Sequence, residues 1–379
     1  MQQLKKVLIV GGGIGGLTAA IALKRQGIES EIVEINPAWS VYGVGIIQPS
    51  NALRALMQIG VGESCVANGF GFPGWRICDS QGNRLADVES ENIAGKGYPP
   101  INGITRPILH KILTQTTLKQ GTPVRLGITV DRAEEGPAGV SVQFTDGSRG
   151  AYDLVVAADG TYSQIRSTLF GLHLEPRFTG EVVWRYNFER PRDMVWGHIF
   201  YGAKSKAGLV PLTDRLMYIF LVTMEPGNPR MPQDQLHELL RDRLSEYGGI
   251  VARLRDHVTD PKAVVYRPME TILVPAPWHR GRVVLIGDAA HSGTPHLAEG
   301  AAMAIEDAVL LAQLLGQARE LDASLGEFAT RRMPRCQLVM ETGLKLGEWE
   351  MAEWQGRRAP DTDHGGLMHR SLSTLMEPI

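Results

Sequence analysis

Three strand-like runs, far apart in the chain, each end where a carboxylate and glycine come together. Glu34 closes a run that follows a glycine-rich loop, Asp159 precedes Gly160, and Asp288 follows Gly287. A carboxylate accepts hydrogen bonds from the hydroxyls of a sugar, and glycine lets the backbone approach a bulky ligand. If the runs are strands of one sheet, one extended ligand along its carboxyl-terminal edge would contact all three positions.

The elements around Glu34 form a βαβ unit. Residues 6–34 read KVLIVGGGIGGLTAAIALKRQGIESEIVE, with the pattern G-x-G-x-x-G from Gly11 to Gly16. The pattern follows a strand-like run, opens an Ala-rich helix-like run, and is followed by the strand that ends on Glu34. This context predicts an adenine dinucleotide, with its pyrophosphate on the helix N-terminus and a ribose hydroxyl on the carboxylate. It does not distinguish FAD from NAD, and the weaker alternative is glycines used only for tight packing. A second match, GFGFPG over residues 69–74, follows no predicted strand and is interpreted as a loop.

The strand ends at Asp159 and Asp288 are also each followed by a predicted helix. Alternating residues 140–145, a turn at Asp146-Gly147 and residues 152–157 predict a β-hairpin, after which residues 163–169 are helix-like. Residues 283–286 predict a third strand, followed by small residues and then a helix. Such a loop allows main-chain N–H groups to come close to a ligand.

Together, the glycine loop with Glu34, the segment AADGTYSQIR and the segment GDAAH…P…EGAAMAIEDA resemble the single-component flavin aromatic hydroxylases built like para-hydroxybenzoate hydroxylase. The likeness covers roughly residues 5–330. The last segment is particularly similar to the branch that contains 3-hydroxybenzoate 6-monooxygenase, 6-hydroxynicotinate 3-monooxygenase and urate hydroxylase. The resemblance implies an α/β fold, in which a Rossmann-like FAD-binding domain is interleaved with a smaller, mainly antiparallel β substrate domain and followed by a helical C-terminus.

The resemblance also implies an activity. It is FAD-dependent monooxygenation of an aromatic or N-heteroaromatic ring (phenol, hydroxypyridine or purine-like) through a flavin C4a-hydroperoxide, with NAD(P)H and O2. The FAD would be bound noncovalently. The alternatives are a reductase or dehydrogenase of the same fold that does not activate oxygen, a flavin halogenase, and an idle FAD-binding module. The halogenase is disfavoured because no W-x-W-x-I-P segment is present.

In this family the first loop takes the FAD pyrophosphate, Asp288 binds the ribityl region, and backbone amides around Gly300 face the isoalloxazine. Asp159 serves both FAD and the nicotinamide donor, and Val130 matches an adenine-side contact. The FAD contacts that the resemblance implies are Gly11, Gly13, Gly15, Gly16, Glu34, Ile35, Ile47, Arg106, Val130, Asp159, Asp288, Gly300, Ala301 and Ala302. The chain departs from the branch at Glu299, where glutamine is usual, which alters the expected charge near the flavin.

Hydroxylation by a flavin requires that the protein place the ring carbon and assist proton removal from a ring hydroxyl or N–H. By resemblance, His296 matches a histidine of the 6-hydroxynicotinate enzyme, while Tyr218 and Lys206 match a substrate-side tyrosine and an arginine of urate hydroxylase. These three are the predicted catalytic residues. The alternatives are a loop histidine bonded to backbone, a buried strand tyrosine and a solvated lysine.

Three further positions are informative by resemblance. His291 is common to the whole fold and is interpreted as structural. Arg185 matches an arginine of the branch and is expected at the domain interface. Val210 stands where the branch has a phenol-contacting tyrosine, so the substrate mode of the hydroxybenzoate enzyme does not transfer.

The predicted organisation interleaves two domains. The FAD-binding domain is expected from residues 1–72, 101–176 and 268–322, the substrate domain from 73–100 and 177–267, and C-terminal helices and a tail from 323–379. Within the substrate domain we predict a hairpin, antiparallel strands and an amphipathic helix, over 74–88, 182–223 and 233–257 respectively. The polar stretch from Gln355 onward is left without assigned structure.

Composition disfavours a nucleic-acid-binding protein, a disulfide-rich protein and a membrane-spanning protein. The net charge of the 379 residues is −2, which favours neither nucleic acid nor an anionic membrane. Cys65, Cys78 and Cys336 are far apart, without the spacing of a disulfide framework or a metal site. No apolar run is long enough to span a membrane. We expect a cytoplasmic monomer or homodimer with no metal. Residues 36–45 lack an arginine for a 2′-phosphate, which weakly favours NADH over NADPH.

Overall fold

The computed structural model describes residues 4–41, 43–136, 139–168, 170, 174–317 and 319–379. The strands are β1 Lys6–Val10, β2 Glu29–Glu34, β3 Gly45–Pro49, β4 Phe70–Phe72, β5 Gly74–Asp79, β6 Arg84–Glu89, β7 Ile101–Thr105, β8 Val124–Leu126, β9 Val130–Gly136, β10 Gly139–Phe144, β11 Arg149–Tyr152, β12 Leu154–Ala157, β13 Arg177–Glu189, β14 Gly197–Tyr201, β15 Ser205–Pro211, β16 Leu216–Met224, β17 Val265–Leu273, β18 His279–Arg280 and β19 Val283–Leu285. The helices are α1 Ile14–Arg25, α2 Ser50–Gln58, α3 Gly62–Ala67, α4 Arg106–Lys119, α5 Gln164–Thr168, α6 Leu236–Arg243, α7 Gly249–Arg255, α8 Asp288–His291, α9 Gly300–Leu315, α10 Leu321–Trp354 and α11 His364–Met376.

The first sheet has the order β18-β19-β12-β1-β2-β8 and is parallel except for the short edge strand β18. Its central strands β1 and β12 are almost wholly buried, as expected for strands covered on both faces. Val10 pairs with Ala157, and Ala157 pairs with Leu285. This register brings the three strand ends with their glycines and carboxylates to one edge of one sheet.

One part of the hairpin prediction was wrong. The hairpin pairs β10 with β11, so its second strand ends at Tyr152. Residues 154–157 instead form β12 in the parallel sheet. Asp153 makes the change of sheet, because its N–H donates to the carbonyl of Lys6 and its carboxylate accepts the N–H groups of Lys5 and Lys6. The fully buried sequence of β12 has no polar alternation, which fits a central parallel strand better than a hairpin.

The second sheet has seven strands in the order β17-β13-β16-β15-β14-β5-β6, antiparallel except between β14 and β5. It confirms the hairpin over 74–88 and the antiparallel strands within 182–223. One face packs on α6 and α7 through an apolar cluster that includes Trp184, Leu209 and Leu221.

Three other local predictions were incomplete or wrong. Residues 69–74 are not a loop, because they span β4 and the start of β5. The helix predicted over 233–257 is split into α6 and α7 near Gly249, whose φ of 55° few other residues adopt. The C-terminal stretch left unassigned contains α11, which packs on α10.

A small antiparallel sheet, β3-β7-β4, lies against the second sheet. Its close packing requires glycine at two points. A Cβ on Gly45 would overlap the ring of Tyr218, and a Cβ on Gly103 would overlap the carbonyl of Pro211. Helix α10, of 34 residues, then runs across α9 and touches β13 and β17. Among the described residues, no helix is long and apolar enough to cross a membrane.

Candidate active site

The glycine loop is built for close approach. Gly11 has a φ of 109°, and a Cβ there would overlap the carbonyl of Ala158, at the end of the neighbouring strand. A Cβ on Gly16 would overlap the carbonyl of Gly11, so the first turn of α1 can fold onto the loop only with glycine. At Gly13, by contrast, a Cβ would meet no atom within 4 Å. The loop thus has one packed side and one open side, which fits a pyrophosphate held by main-chain N–H groups.

Glu34 lies beside this loop. Its two carboxylate oxygens accept the N–H groups of Gly12 and Asn36, both at 2.7 Å. Each oxygen keeps a further lone pair that could accept a ribose hydroxyl. Trp39 and His110 both bond the carbonyl of Gly12, at 2.9 and 3.1 Å, and so fix the backbone between the two motif glycines.

Asp159 and Asp288 follow adjacent strands but are held differently. Asp159 accepts the Ser163 hydroxyl at 2.6 Å and the Ile165 N–H at 3.1 Å, and thereby orients α5; burial raises the pKa of its carboxyl. Solvent reaches Asp288, yet desolvation by the protein atoms around it also raises the pKa of its carboxyl. Exposure and desolvation together fit a carboxyl at the floor of a cleft.

The N-terminus of α9 presents main-chain N–H groups beside that cleft. Gly300 is exposed and a Cβ there would meet nothing within 4 Å, whereas Ala302 is buried. The first N–H groups of a helix have no partner within it and carry partial positive charge, which suits an anionic ring.

Glu299, the residue before this helix, is fully buried and accepts Asn51 Nδ2 at 2.9 Å. Burial raises the pKa of its carboxyl to about 8. A protonated glutamic acid has nearly the shape and charge of the glutamine usual in the branch. The expected change in charge near the flavin is therefore largely removed at neutral pH.

The remaining predicted FAD contacts are more dispersed. Ile35 is exposed and directly follows Glu34, while Ile47 is half-buried on β3. Arg106 begins α4, and its charge lowers the pKa of Asp288 against the larger effect of burial. Val130 is buried at the start of β9.

The predicted catalytic residues of the second sheet lie on one face. Because side chains alternate along strands, the residues between those packed on α6 and α7 point the other way. We call this the inner face, and its members are Glu181, Val183, Arg185, Lys206, Gly208, Val210, Tyr218, Phe220 and Val222. It is turned toward β3, toward α10 and toward the loop that leads into α9.

At one end of the inner face, His296 and Lys206 meet. Lys206 Nζ donates a short hydrogen bond to Glu350 Oε1, and His296 Nε2 lies 3.5 Å from Glu350 Oε2 and 3.6 Å from Glu181 Oε2. His296 Nδ1 lies 2.9 Å from the hydroxyl of Thr294. Lys206 is buried, so the alternative of a solvated lysine is excluded, and His296 bonds a side chain rather than backbone.

Burial and neighbouring charges shift the pKa values of Lys206, His296 and Glu350 in opposite directions, and the charges have the larger effect. Burial would lower the pKa of Lys206 and of His296, yet the neighbouring carboxylates raise both. Burial would likewise raise the pKa of Glu350, but Lys206 and His296 lower it to about 2. The imidazole therefore keeps its proton to a higher pH than a free histidine does.

Tyr218 stands apart from that group, toward the other end of the inner face. It is 4% exposed, and its ring rests on Gly45. Burial raises the pKa of its hydroxyl, while Arg185 and Arg106 act in the opposite sense. Arg185 of the second sheet and Arg106 at the start of α4 are thus both close enough to Tyr218 to act on its hydroxyl.

His291 belongs to a buried ion-pair network under the site. Its Nε2 lies 2.6 Å from Asp307 Oδ2, which also accepts the Gly287 N–H at 2.8 Å. Arg332 donates to Asp307 and to Glu306, each at 2.6 Å. His291, Asp307 and Cys336 have a metal-like spacing. Arg332 already pairs with the Asp307 carboxylate, so we interpret the network as structural support for the end of β19 rather than as a set of metal ligands.

Residues 5–342 match the family model described as an FAD binding domain. The chain belongs to this family. It is 32% identical to the aurachin C monooxygenase/isomerase of Stigmatella aurantiaca, with 91% of this chain and 90% of the relative covered. It is 30% identical to the FAD-dependent urate hydroxylase of Klebsiella pneumoniae, with 98% and 94% covered.

A solved structure agrees. The crystal structure of Klebsiella pneumoniae HpxO complexed with FAD and uric acid has a TM-score of 0.81 and 26% identity, covering 99% of this chain and 93% of that one. The resemblance, the Rossmann-like α/β fold with a helical C-terminus, and the binding of FAD are therefore confirmed. The chain is a flavin-dependent monooxygenase.

Two residues of the candidate site, Glu181 and Glu350, were not predicted from the sequence. Glu181 has a signal, because it lies four residues before Arg185 on the same strand and must share its face. Glu350 has none that could be used, since it comes from α10, and helix periodicity alone does not indicate which element covers a given turn.

Proposed function

We propose that this monooxygenase hydroxylates an aromatic or N-heteroaromatic ring, with O2 as oxygen source and NADH or NADPH as electron donor. The observation that carries the proposal is the inner face, which presents polar side chains from three strands and has His296 of the loop before α9 at one end. Uric acid, named with the structural neighbour, is an N-heterocycle, which supports a substrate of that kind.

The FAD would lie along the carboxyl ends of the parallel strands. We assign its pyrophosphate to Gly11–Gly16, its adenosine ribose to Glu34 and its ribityl chain to Asp288. The open space at Gly13 and Gly300 supports this assignment. When bound, FAD would accept electrons from the nicotinamide and activate O2, which is the source of the transferred oxygen atom.

The chain's own residues would position the ring and manage one proton. Tyr218 and Lys206 would orient the substrate on the inner face, and His296 would take a proton from a ring hydroxyl or N–H at Nε2. Removal of that proton raises the electron density of the ring where oxygen is added. Because carboxylates raise the pKa of His296, kcat/KM should rise with pH through an apparent pKa above 6.5, as the imidazole loses its proton.

We further propose the division into an FAD-binding domain (1–72, 101–176, 268–322) and a substrate domain (73–100, 177–267), with 323–379 as a covering segment. The two principal sheets support it, since they have separate apolar clusters. We also propose a cytoplasmic location, which three free, buried cysteines support, and a monomeric or homodimeric state.

The test is NAD(P)H-dependent oxygen uptake by the purified yellow protein, with and without phenols, hydroxypyridines and purines. A monooxygenase should consume O2, NADH and substrate in a ratio near one to one to one. NADH oxidation that reduces the substrate and leaves O2 untouched would contradict the proposal and favour the reductase alternative.

A further inference from the structure

Glu299 is a buried carboxyl at the start of α9. It has no exposed surface, whereas the next residue, Gly300, is exposed beside the cleft. Gly300 begins the run of main-chain N–H groups that have no partner within the helix. Glu299 is thus an interior residue that directly precedes the N–H groups bordering the cleft.

Glu299 shares a hydrogen-bond donor with a second carboxylate. Its Oε2 accepts the Asn51 amide at 2.9 Å, and the same amide nitrogen lies 3.2 Å from Glu306 Oε1. Oε1 of Glu299 has no hydrogen-bond partner in the part of the chain that the structure describes. A buried carboxylate needs several donors or a cation, so these surroundings favour the protonated, uncharged form.

The positive charges nearby pair with the other carboxylate. Arg332 and Arg335 of α10 donate to Glu306 at 2.6 and 3.0 Å, and Arg54 of α2 is also attracted to Glu306. Among the described residues, no cation forms an ion pair with Glu299. Burial raises the pKa of Glu299 to about 8, and Glu306 acts in the same sense against the weaker effects of Arg335 and Arg332.

The charge of the flavin ring changes close to this carboxyl. Reduction by two electrons and one proton leaves one negative charge on the isoalloxazine, which lies at the N–H groups of α9 in the proposed arrangement of FAD. A ring in that position would lie about one helix diameter, roughly 10 Å, from the carboxyl of Glu299. At that separation, two negative charges inside a protein raise one another's pKa by about one unit.

We infer that Glu299 takes up a proton from solvent when bound FAD is reduced, and so couples flavin reduction to pH above neutrality. Of the two protons then consumed with two electrons, one goes to the ring and one to the Glu299 carboxylate. At lower pH the carboxyl already holds its proton, so only the ring gains one. Glu299 is not a catalytic residue, because it acts through the electrostatic field at the end of α9. The inference rests on the proposed function for the place of the ring.

The test is the reduction equilibrium of bound FAD against a reference dye, measured without O2 or ring substrate in wild type and in Glu299→Gln. At pH 7 residue 299 is uncharged in both proteins, so their equilibrium constants for reduction should agree closely. At pH 9 ionised Glu299 disfavours the reduced ring. A pKa that rises from about 8 to about 9 on reduction predicts a constant about fivefold larger in Glu299→Gln. The exposed Glu320→Gln should match wild type at both pH values.

A ratio below twofold at pH 9, or the same ratio at pH 7 and pH 9, would overturn the inference. Glu299→Met, uncharged and of similar length, takes the place of Glu299→Gln if that variant loses FAD. Wild type gives a second measurement, because reduction at pH 8.5 should take up about half a proton more than the ring alone requires. Uptake by the ring alone would also overturn the inference.

Oxygen uptake with ring compounds is measured separately. Failure of uptake with this pH pattern intact would refute the proposed function, and the reverse would refute only the role of Glu299.

Discussion

Replacing Glu299 by glutamine should stabilise the protein, and the gain should grow with pH. The carboxyl of Glu299 has its pKa raised by burial from 4.5 to about 8. Between these values the folded protein keeps a proton that the unfolded chain releases, so ionisation opposes folding and stability falls as pH rises through that window. Glutamine does not titrate, and its carbonyl can still accept the bond from Asn51 Nδ2.

The expected gain in unfolding free energy follows from the difference between the folded and unfolded pKa values of Glu299. At about 1.4 kcal/mol for each pH unit of separation, Glu299→Gln should gain about 1 kcal/mol at pH 5 and about 3 kcal/mol at pH 7. Urea unfolding of the FAD-saturated protein, followed by far-UV circular dichroism, measures both values. The exposed Glu320 provides a control, whose change to glutamine should stay within about 0.5 kcal/mol at either pH. An equal gain at both pH values, or a loss at pH 7, would refute this view of Glu299.

Four further variants test other parts of the structure. Arg332→Leu removes the guanidinium shared by two buried carboxylates, Glu306 and Asp307, and should cost about 3–5 kcal/mol of unfolding free energy. The exposed Arg331→Leu should cost about 1 kcal/mol or less, and equal losses in urea unfolding would contradict the network. Glu34→Ala should weaken FAD binding by about 1–3 kcal/mol in a fluorescence titration, and an unchanged Kd would remove Glu34 from the site. Tyr218→Phe should lower kcat/KM with little change in Tm, while a shifted Tm with normal turnover would identify a packing residue. His296→Ala should slow coupled hydroxylation about 10²–10⁴-fold and release hydrogen peroxide, with normal FAD content; full product yield for each NADH would show that His296 is not the base.

The cofactor half was predictable because local sequence dictates it. Glycine is required at Gly11 and Gly16 by backbone packing that tolerates no Cβ, so the pattern is visible in the chain itself. The positions of Asp159 and Asp288 also followed, because parallel strands bring their carboxyl ends to one edge. The hairpin prediction was wrong after Asp153, where the chain passes from one sheet to another. That change depends on a hydrogen bond between the Asp153 carboxylate and the backbone of β1, which is distant in sequence.

The substrate half was predictable only in part. Strand alternation places Lys206, Tyr218 and Arg185 on one face, and the resemblance had selected the same positions. Neither strand alternation nor the resemblance could predict that Lys206 lies near His296, because both contact Glu350 on α10. How a long helix lies over a sheet depends on packing across the whole interface, including Gly347, and no local pattern reports it.

The central claim is that this chain transfers oxygen to a ring, and labelled oxygen tests it most directly. Purified enzyme is supplied with NADH, ¹⁸O2 and the ring compound that most stimulates NADH oxidation, and the product is weighed by mass spectrometry. The account predicts a product heavier by one ¹⁸O atom, in yield close to the NADH consumed. A product without the label, or hydrogen peroxide in full yield with every ring compound tried, would contradict it.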